Sequence, residues 1–331
     1  DEEAKRLGKE LYKWLLEPLE NAQKKLGLVG ESAIKTIVYV PDGILRYIPL
    51  AALHDGKDWL ARKYRVNVIT ARSLIELNRP PSDIVDVLAG AFTMDREIDA
   101  AGDRRTFKAL PYARTEVEDI KTLYPKASVY FDDAFKPENF VYSFRKNQLV
   151  HLATHGEFVP GRPKDDSFIL FGDGKRASLS DIQNTWLLHH VEMIVLSACQ
   201  TAVGGELGNG EEILGFGYLM QTAGANAVMA SLWKVSDGGT QALMSTFYRF
   251  LRQPGISKSE ALRQAQLALI DNKFAPEVES SVRAATPLDE KSVPYSYSHP
   301  FYRGGCTDRA FNLWRKLVVD QSELSLPQGL A

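Results

Sequence analysis

The sequence predicts an α/β protein built on a mostly parallel sheet with helices on both faces. Short, almost continuous apolar runs carry that expectation: Val85–Phe92, Leu149–Thr154, Glu192–Ala198 and Ala227–Leu232. Amphipathic stretches separate them, and no internal repeat or low-complexity tract interrupts the order. A strand buried on both faces loses the polar alternation of a half-exposed one, and parallel neighbours need a helical crossover between them.

The elements follow in order. Leu7-Gly-Lys-Glu-Leu-Tyr-Lys-Trp-Leu15 has apolar residues at helical spacing. It reads as a helix continued from something longer, so the chain is expected to be one domain of a bigger protein. Thr36–Val40, ended by Pro-Asp-Gly, reads as a buried strand and turn, and Val66–Thr70 as another strand. Residues 94–106 are rich in Asp and Arg and are expected to form a boundary or loop. Beyond them helices are expected over Ala113–Leu123, Pro137–Lys146, Glu211–Thr222, Thr240–Leu251 and Lys258–Ile270. Ser128–Phe131 reads as a strand, and Phe168–Phe171 followed by Gly-Asp-Gly as a hairpin arm.

Composition narrows the function. Of 331 residues 44% are hydrophobic and 25% charged, the formal net charge is -2, and the pI is near 6.4. That balance gives no global attraction to nucleic acid or an anionic membrane. No run of about 18 apolar residues is present, so no membrane span is expected. The charged start, Asp-Glu-Glu-Ala-Lys-Arg, lacks the apolar segment of a secretory signal. Two cysteines, Cys199 and Cys306, make no disulfide framework and suit a reducing, cytoplasmic setting.

In open parallel sheets ligands bind beyond the carboxyl ends of the strands. His155 and Cys199 each stand one residue past an apolar run; Gly156 follows the first, and Gln200-Thr201 and then glycines follow the second. A thiol within reach of an imidazole becomes a thiolate nucleophile, and the imidazolium can then protonate a leaving amine. Each residue alone has a plainer reading, Cys as a small buried hydrophobe and His as a structural side chain. Their shared position argues for chemistry. A metal site fails on distance, because His151 and His155, four apart in a strand, are separated by roughly 13 Å at about 3.3 Å per residue. His189-His190 is expected to face solvent. Nucleotide binding fails on the Gly204–Gly210 loop, whose glycine spacing is wrong and whose Glu206, Glu211 and Glu212 would repel a pyrophosphate. No cofactor is expected.

Four ordered motifs carry a family resemblance. They are His151-Leu-Ala-Thr-His155-Gly, Val195-Leu-Ser-Ala-Cys199-Gln-Thr, Gly210-Glu-Glu-Ile-Leu-Gly-Phe-Gly-Tyr-Leu, and Ala225-Asn-Ala-Val-Met-Ala-Ser-Leu-Trp-Lys-Val-Ser-Asp237. Together with Val38–Leu53 they resemble the CHAT domain, a caspase-like, separase-related peptidase domain often fused to tetratricopeptide repeats in bacteria. The resemblance runs from about residue 7 to Tyr302. It implies a caspase-like three-layer sandwich: a degenerate N-terminal half over 1–105, a catalytic half over 106–302, and a divergent tail over 303–331 that departs from the family, with Phe311–Val318 helical. It implies His155 as general acid/base and Cys199 as nucleophile, with the Gly156 and Cys199 amides as oxyanion donors. Trp233 to Asp237 would border the pocket for the residue before the cut, with Asp237 selecting a basic side chain or, more plainly, capping a helix. The implied activity is a regulated cysteine endopeptidase acting on a protein substrate, under the control of a regulatory protein or repeat module. The alternative class is a protease-like scaffold that binds partners without cutting them.

Overall fold

The computed structural model describes residues 2–69, 83–100, 103–157, 159, 163–197, 211–231, 237–273 and 316–320. The strands are β1 (Thr36–Tyr39), β2 (Arg65–Val68), β3 (Val87–Ala91), β4 (Arg96–Ala100), β5 (Asp103–Phe107), β6 (Ser128–Phe131), β7 (Leu149–Ala153), β8 (Gly156–Glu157), β9 (Phe168–Leu170), β10 (Arg176–Ser178), β11 (Met193–Ser197), β12 (Ala227–Ser231) and β13 (Lys316–Asp320). The helices are α1 (Glu2–Leu15), α2 (Glu17–Lys25), α3 (Ala113–Leu123), α4 (Pro137–Phe140), α5 (Pro163–Asp166), α6 (Leu179–Thr185), α7 (Glu211–Thr222), α8 (Asp237–Leu251) and α9 (Lys258–Ile270).

The main sheet has the order β13-β12-β11-β7-β3-β6. Its strands from β12 to β6 run parallel, and β13 closes one edge antiparallel to β12. β3 lies inside this sheet although its residues precede position 105. β1 and β2 form a separate parallel pair, packed with α1 around Tyr12, Leu16, Leu53 and Leu60.

Side chains alternate across a strand, so each strand feeds two cores. Leu149, Ala153, Met193, Val195, Ala227 and Met229 join α3, α8 and α9 on one face. Val150, Leu152, Ile194, Leu196 and Val228 join α6, α7 and the Phe135–Phe140–Phe144 aromatic cluster on the other. This is the two-faced sheet that the apolar runs predict. Among the described residues no helix is long and apolar enough to cross a membrane.

Three expectations need correction. The polar stretch at 94–106 contains a hairpin: β4 pairs antiparallel with β5, Arg104 meets Glu97 across it, and Arg96 reaches Asp133 at 2.5 Å. Opposite charges facing each other let a polar sequence make a ribbon. In the tail, Lys316–Asp320 is the edge strand β13 where a helix over Phe311–Val318 was expected, its Leu317-Val-Val run being short and β-branched. Within Pro137–Lys146 only Pro137–Phe140 is α-helical, and Val141–Lys146 continues as a tighter 3-10 helix.

Gly90 shows how closely β3 approaches the aromatic cluster. A Cβ there would lie 2.4 Å from Phe135 Cδ2 and 2.8 Å from Phe140 Cζ. Both rings are fully buried. Gly90→Ala should therefore cost roughly 1–3 kcal/mol through overpacking, read as a lower urea midpoint at unchanged slope. A wild-type midpoint would show that the rings yield without cost.

Candidate active site

β7 ends at Ala153, which pairs with Ser197 at the end of β11. Two residues beyond Ala153 comes His155, 4% exposed. Its Nε2 donates to the carbonyl oxygen of Lys108 at 2.7 Å. A carbonyl oxygen only accepts, so Nε2 keeps its hydrogen in both protonation states and any proton the ring gains or loses sits on Nδ1. The ring is held edge-on by Phe92, centroids 4.9 Å apart, and leans on Phe107 at 5.5 Å. Thr154 beside it donates through Oγ1 to the Leu170 carbonyl at 2.5 Å, and the His155 carbonyl accepts from Leu170 N at 2.9 Å.

The Lys108 carbonyl is itself anchored. Asp95 accepts from Ala109 N at 2.8 Å and from Lys108 Nζ at 2.7 Å, clamping the peptide that follows β5. The Lys108 ammonium, with the Ala109 amide, holds the Asp95 carboxyl below its usual range. Leu110 N donates to the Phe92 carbonyl at 3.2 Å, and Thr93 donates through N and Oγ1 to the buried Asp132 at 2.7 and 2.6 Å. The imidazole is thus oriented by backbone pinned at both ends. Gly156 opens β8 opposite Ile169 and is buried.

Cys199, its amide and Trp233 lie outside the described residues. Asp237 is the first residue of α8. His189 and His190 are exposed, in line with the sequence reading. Cys306 also lies outside the described residues.

The sequence matches the CHAT domain over residues 5–302. The chain belongs to the CHAT domain family. It is therefore a protease-like domain by family, on the doubly covered sheet described above. No curated protein matches it. Among solved structures it is similar to the Arg-specific cysteine proteinase gingipain R (RgpB), with 10% identity and a TM-score of 0.44 over 84% of this chain and 65% of that one. It is also similar to the complex of the pro- and mature domains of RgpB from Porphyromonas gingivalis, with 11% identity and a TM-score of 0.44 over 84% of this chain and 66% of that one. The CHAT domain thus spans less than two-thirds of the length of either protein.

Behind the strand ends the CHAT domain holds a buried polar cluster. His151, fully buried on β7, places Nδ1 2.7 Å from the Tyr248 hydroxyl on α8 and Nε2 3.3 Å from Glu116 Oε1 on α3. Glu116 Oε1 also accepts from Ser197 Oγ at 2.8 Å. Burial pushes the Tyr248 phenol far above its ordinary pKa, with the Glu116 charge adding to the effect. It therefore keeps its proton at neutral pH. A phenol donating to Nδ1, with Nε2–H facing the carboxylate, gives each group a complementary neighbour. His151 is tied to α3 and α8 rather than to His155.

Sequence reasoning missed Glu116, and a signal for it exists. Glu116 stands on the buried stripe of α3, between Ala113, Val117 and Ile120. A charge inside an apolar stripe needs a buried partner. Removing the shared acceptor with Glu116→Ala should cost roughly 1–3 kcal/mol, and Tyr248→Phe about 1 kcal/mol. Both act through His151, so the double variant should depart from additivity by at least about 0.5 kcal/mol. Chemical denaturation of the four proteins measures this, and strict additivity would break the network apart.

Proposed function

We propose that this CHAT domain is a cysteine endopeptidase that cuts a protein partner with His155 and Cys199. The observation that carries the reading is the buried, oriented imidazole at the carboxyl end of β7, with Nε2–H committed to the Lys108 carbonyl. That commitment makes Nδ1 the site of proton exchange, as a general acid/base requires. Adjacent register supports the partner: Ser197 pairs with Ala153, and Cys199 follows Ser197 by two residues as His155 follows Ala153.

In the proposed cycle Nδ1 of His155 takes the thiol proton and Cys199 Sγ bonds to the scissile carbonyl carbon. The tetrahedral oxyanion is received by the amides of Gly156 and Cys199. Collapse breaks the C–N bond, and the imidazolium proton leaves on the amine. Water then attacks the thioester while His155 takes its proton, and that proton returns to the departing thiolate. Trp233 and Asp237 border the pocket for the residue before the cut, with the Asp237 carboxylate pairing with arginine better than with lysine through its planar fork. Release of activity depends on an upstream repeat module or a regulatory protein.

Incubation with an unbiased peptide library tests the assignment. Cys199→Ala and His155→Ala should each abolish cleavage while keeping the wild-type melting curve. The double variant should lose no more than the stronger single one, since the two act as a unit. Retained turnover in Cys199→Ala, with loss in Cys306→Ala, would transfer the nucleophile. Asp237→Asn should erase a basic preference before the cut, whereas an unchanged preference for Leu, Met or Asp there would remove Asp237 from the pocket.

A further inference from the structure

Arg176, on β10, plays no part in the reaction proposed above. Its Nε and Nη2 are buried and make no hydrogen bond. Buried polar atoms nearly always have partners, and each exception calls for an explanation. A charged donor withdrawn from water without an acceptor is costlier than a neutral one. The guanidinium stacks on Phe168, its central carbon 4.3 Å from the ring centroid. Nearby charges are those of Arg105 and Glu157. Glu157 is already engaged by Arg105, whose Nη1 donates to Oε1 at 3.1 Å while Nη2 lies 2.9 Å from Oε2. Two guanidinium groups thus lie in the field of one carboxylate, and the group carries an excess positive charge. Burial and then Arg105 lower the Arg176 pKa, with Glu157 opposing them. An arginine so placed still stays charged at neutral pH.

The topology links this charge to His155 through two intervening rings, Phe168 and Phe107. Arg176 pairs with Leu170 and Glu157 with Phe168, two residues apart on β9, so their side chains share one face of the small sheet. Glu157 follows His155 and Gly156 directly. Phe168 meets Phe107 at 6.1 Å between centroids, and Phe107 meets His155 at 5.5 Å. Arg105 lies over Phe107, 5.3 Å from its centroid. One aromatic floor therefore carries the imidazole at one end and two guanidinium groups at the other.

We infer that Arg176, supported by Arg105, forms an anion subsite beside His155 that takes an Asp or Glu side chain of the protein substrate. The inference rests on the peptidase reading only for the subsite's role in cleavage. A carboxylate would supply the acceptor that Nε and Nη2 lack, and the planar fork could hold it through two hydrogen bonds. It would also balance the excess charge on the floor. A basic or neutral substrate segment would leave the guanidinium unsatisfied, so discrimination comes from penalty as much as from attraction. The acidic residue belongs at a different position from the one Asp237 would read, because the two sites carry opposite charges.

Binding to the Cys199→Ala protein tests this without requiring turnover. Fluorescently labelled peptides carry one fixed Arg and a single Glu or Gln walked through the flanking positions, and anisotropy reads their affinity. One position should favour Glu over Gln by about tenfold, the size expected of a hydrogen bond to a charged group. Adding Arg176→Gln should bring that ratio to about one, and Arg176→Lys, which keeps charge but not the fork, should leave it in between. If Arg176→Gln does not fold, the Lys variant carries the test. Equal affinity for Glu and Gln at every position, no binding of either peptide, or a ratio that survives a folded Arg176→Gln overturns the subsite. The peptidase reading fails separately: the Cys199 protein would then cut none of the peptides that Cys199→Ala selects by charge.

Discussion

The site depends on the register of two adjacent parallel strands buried on both faces. β7 and β11 pair from Leu149↔Met193 to Ala153↔Ser197. Their odd positions face the α3–α8–α9 core and their even positions face the α6–α7 core. A slip of one residue would exchange the two sets. His151 would then leave Tyr248 and Glu116 for the face packed with Phe144 and Trp186. No such slip is compatible with both cores at once. In sequence, His155 and Cys199 follow the paired strand ends by the same two residues.

The polar cluster makes the alignment more specific than apolar packing alone. Apolar side chains of similar size can exchange partners at small cost. A buried carboxylate cannot, because a group that loses its donors incurs the full desolvation penalty. Glu116 accepts from Ser197 on β11 and faces His151 on β7, while Tyr248 reaches His151 from α8. α3 and α8 are joined again by Asp119, which accepts from Ser245 Oγ at 2.5 Å and from Gln241 Nε2 at 3.1 Å. The helices behind the site are therefore keyed to the strands that carry it. The same logic applies at the front, where Asp95 clamps the peptide whose carbonyl receives His155 Nε2–H.

The central strands and helices were legible because apolar burial leaves a periodic trace. α3 and α9 run over the expected residues, and β3, β7, β11 and β12 fall inside the expected apolar runs. The β4–β5 hairpin was not legible, since its partners are charges facing each other, a pairing visible only once register is known. β13 misled because Phe311, Trp314 and Leu317 fall at helical spacing, whereas its place at a sheet edge is a long-range fact. Of the site, His155 could be read from its position past a strand. Its orienting partner could not, because Lys108 acts through a carbonyl that any residue would supply. Arg176 lies in none of the motifs and carries no signal in the sequence. Only its stacking on Phe168 and its two unsatisfied nitrogens distinguish it.

The charges around the imidazole constrain what can approach it. Arg105 and Glu157 neutralise each other, so the field on the aromatic floor is mainly that of Arg176. Partly buried charges are screened by salt much less than exposed ones, so that field persists at physiological ionic strength. A cationic stretch of substrate laid across the floor would meet repulsion without a compensating acceptor. An anionic side chain would meet two guanidinium groups spaced by a carboxylate that is already committed. An acidic carboxylate at Asp237, read as part of a separate pocket, asks for the opposite sign. A peptide satisfying both must present its charges in a fixed order along an extended backbone. On the proposed reading, two opposite subsites would define direction as well as composition, which one pocket cannot do. On that reading His155 and Cys199 would supply the chemistry. On the proposed reading, Arg176, outside the motifs, would help to set which protein is cut.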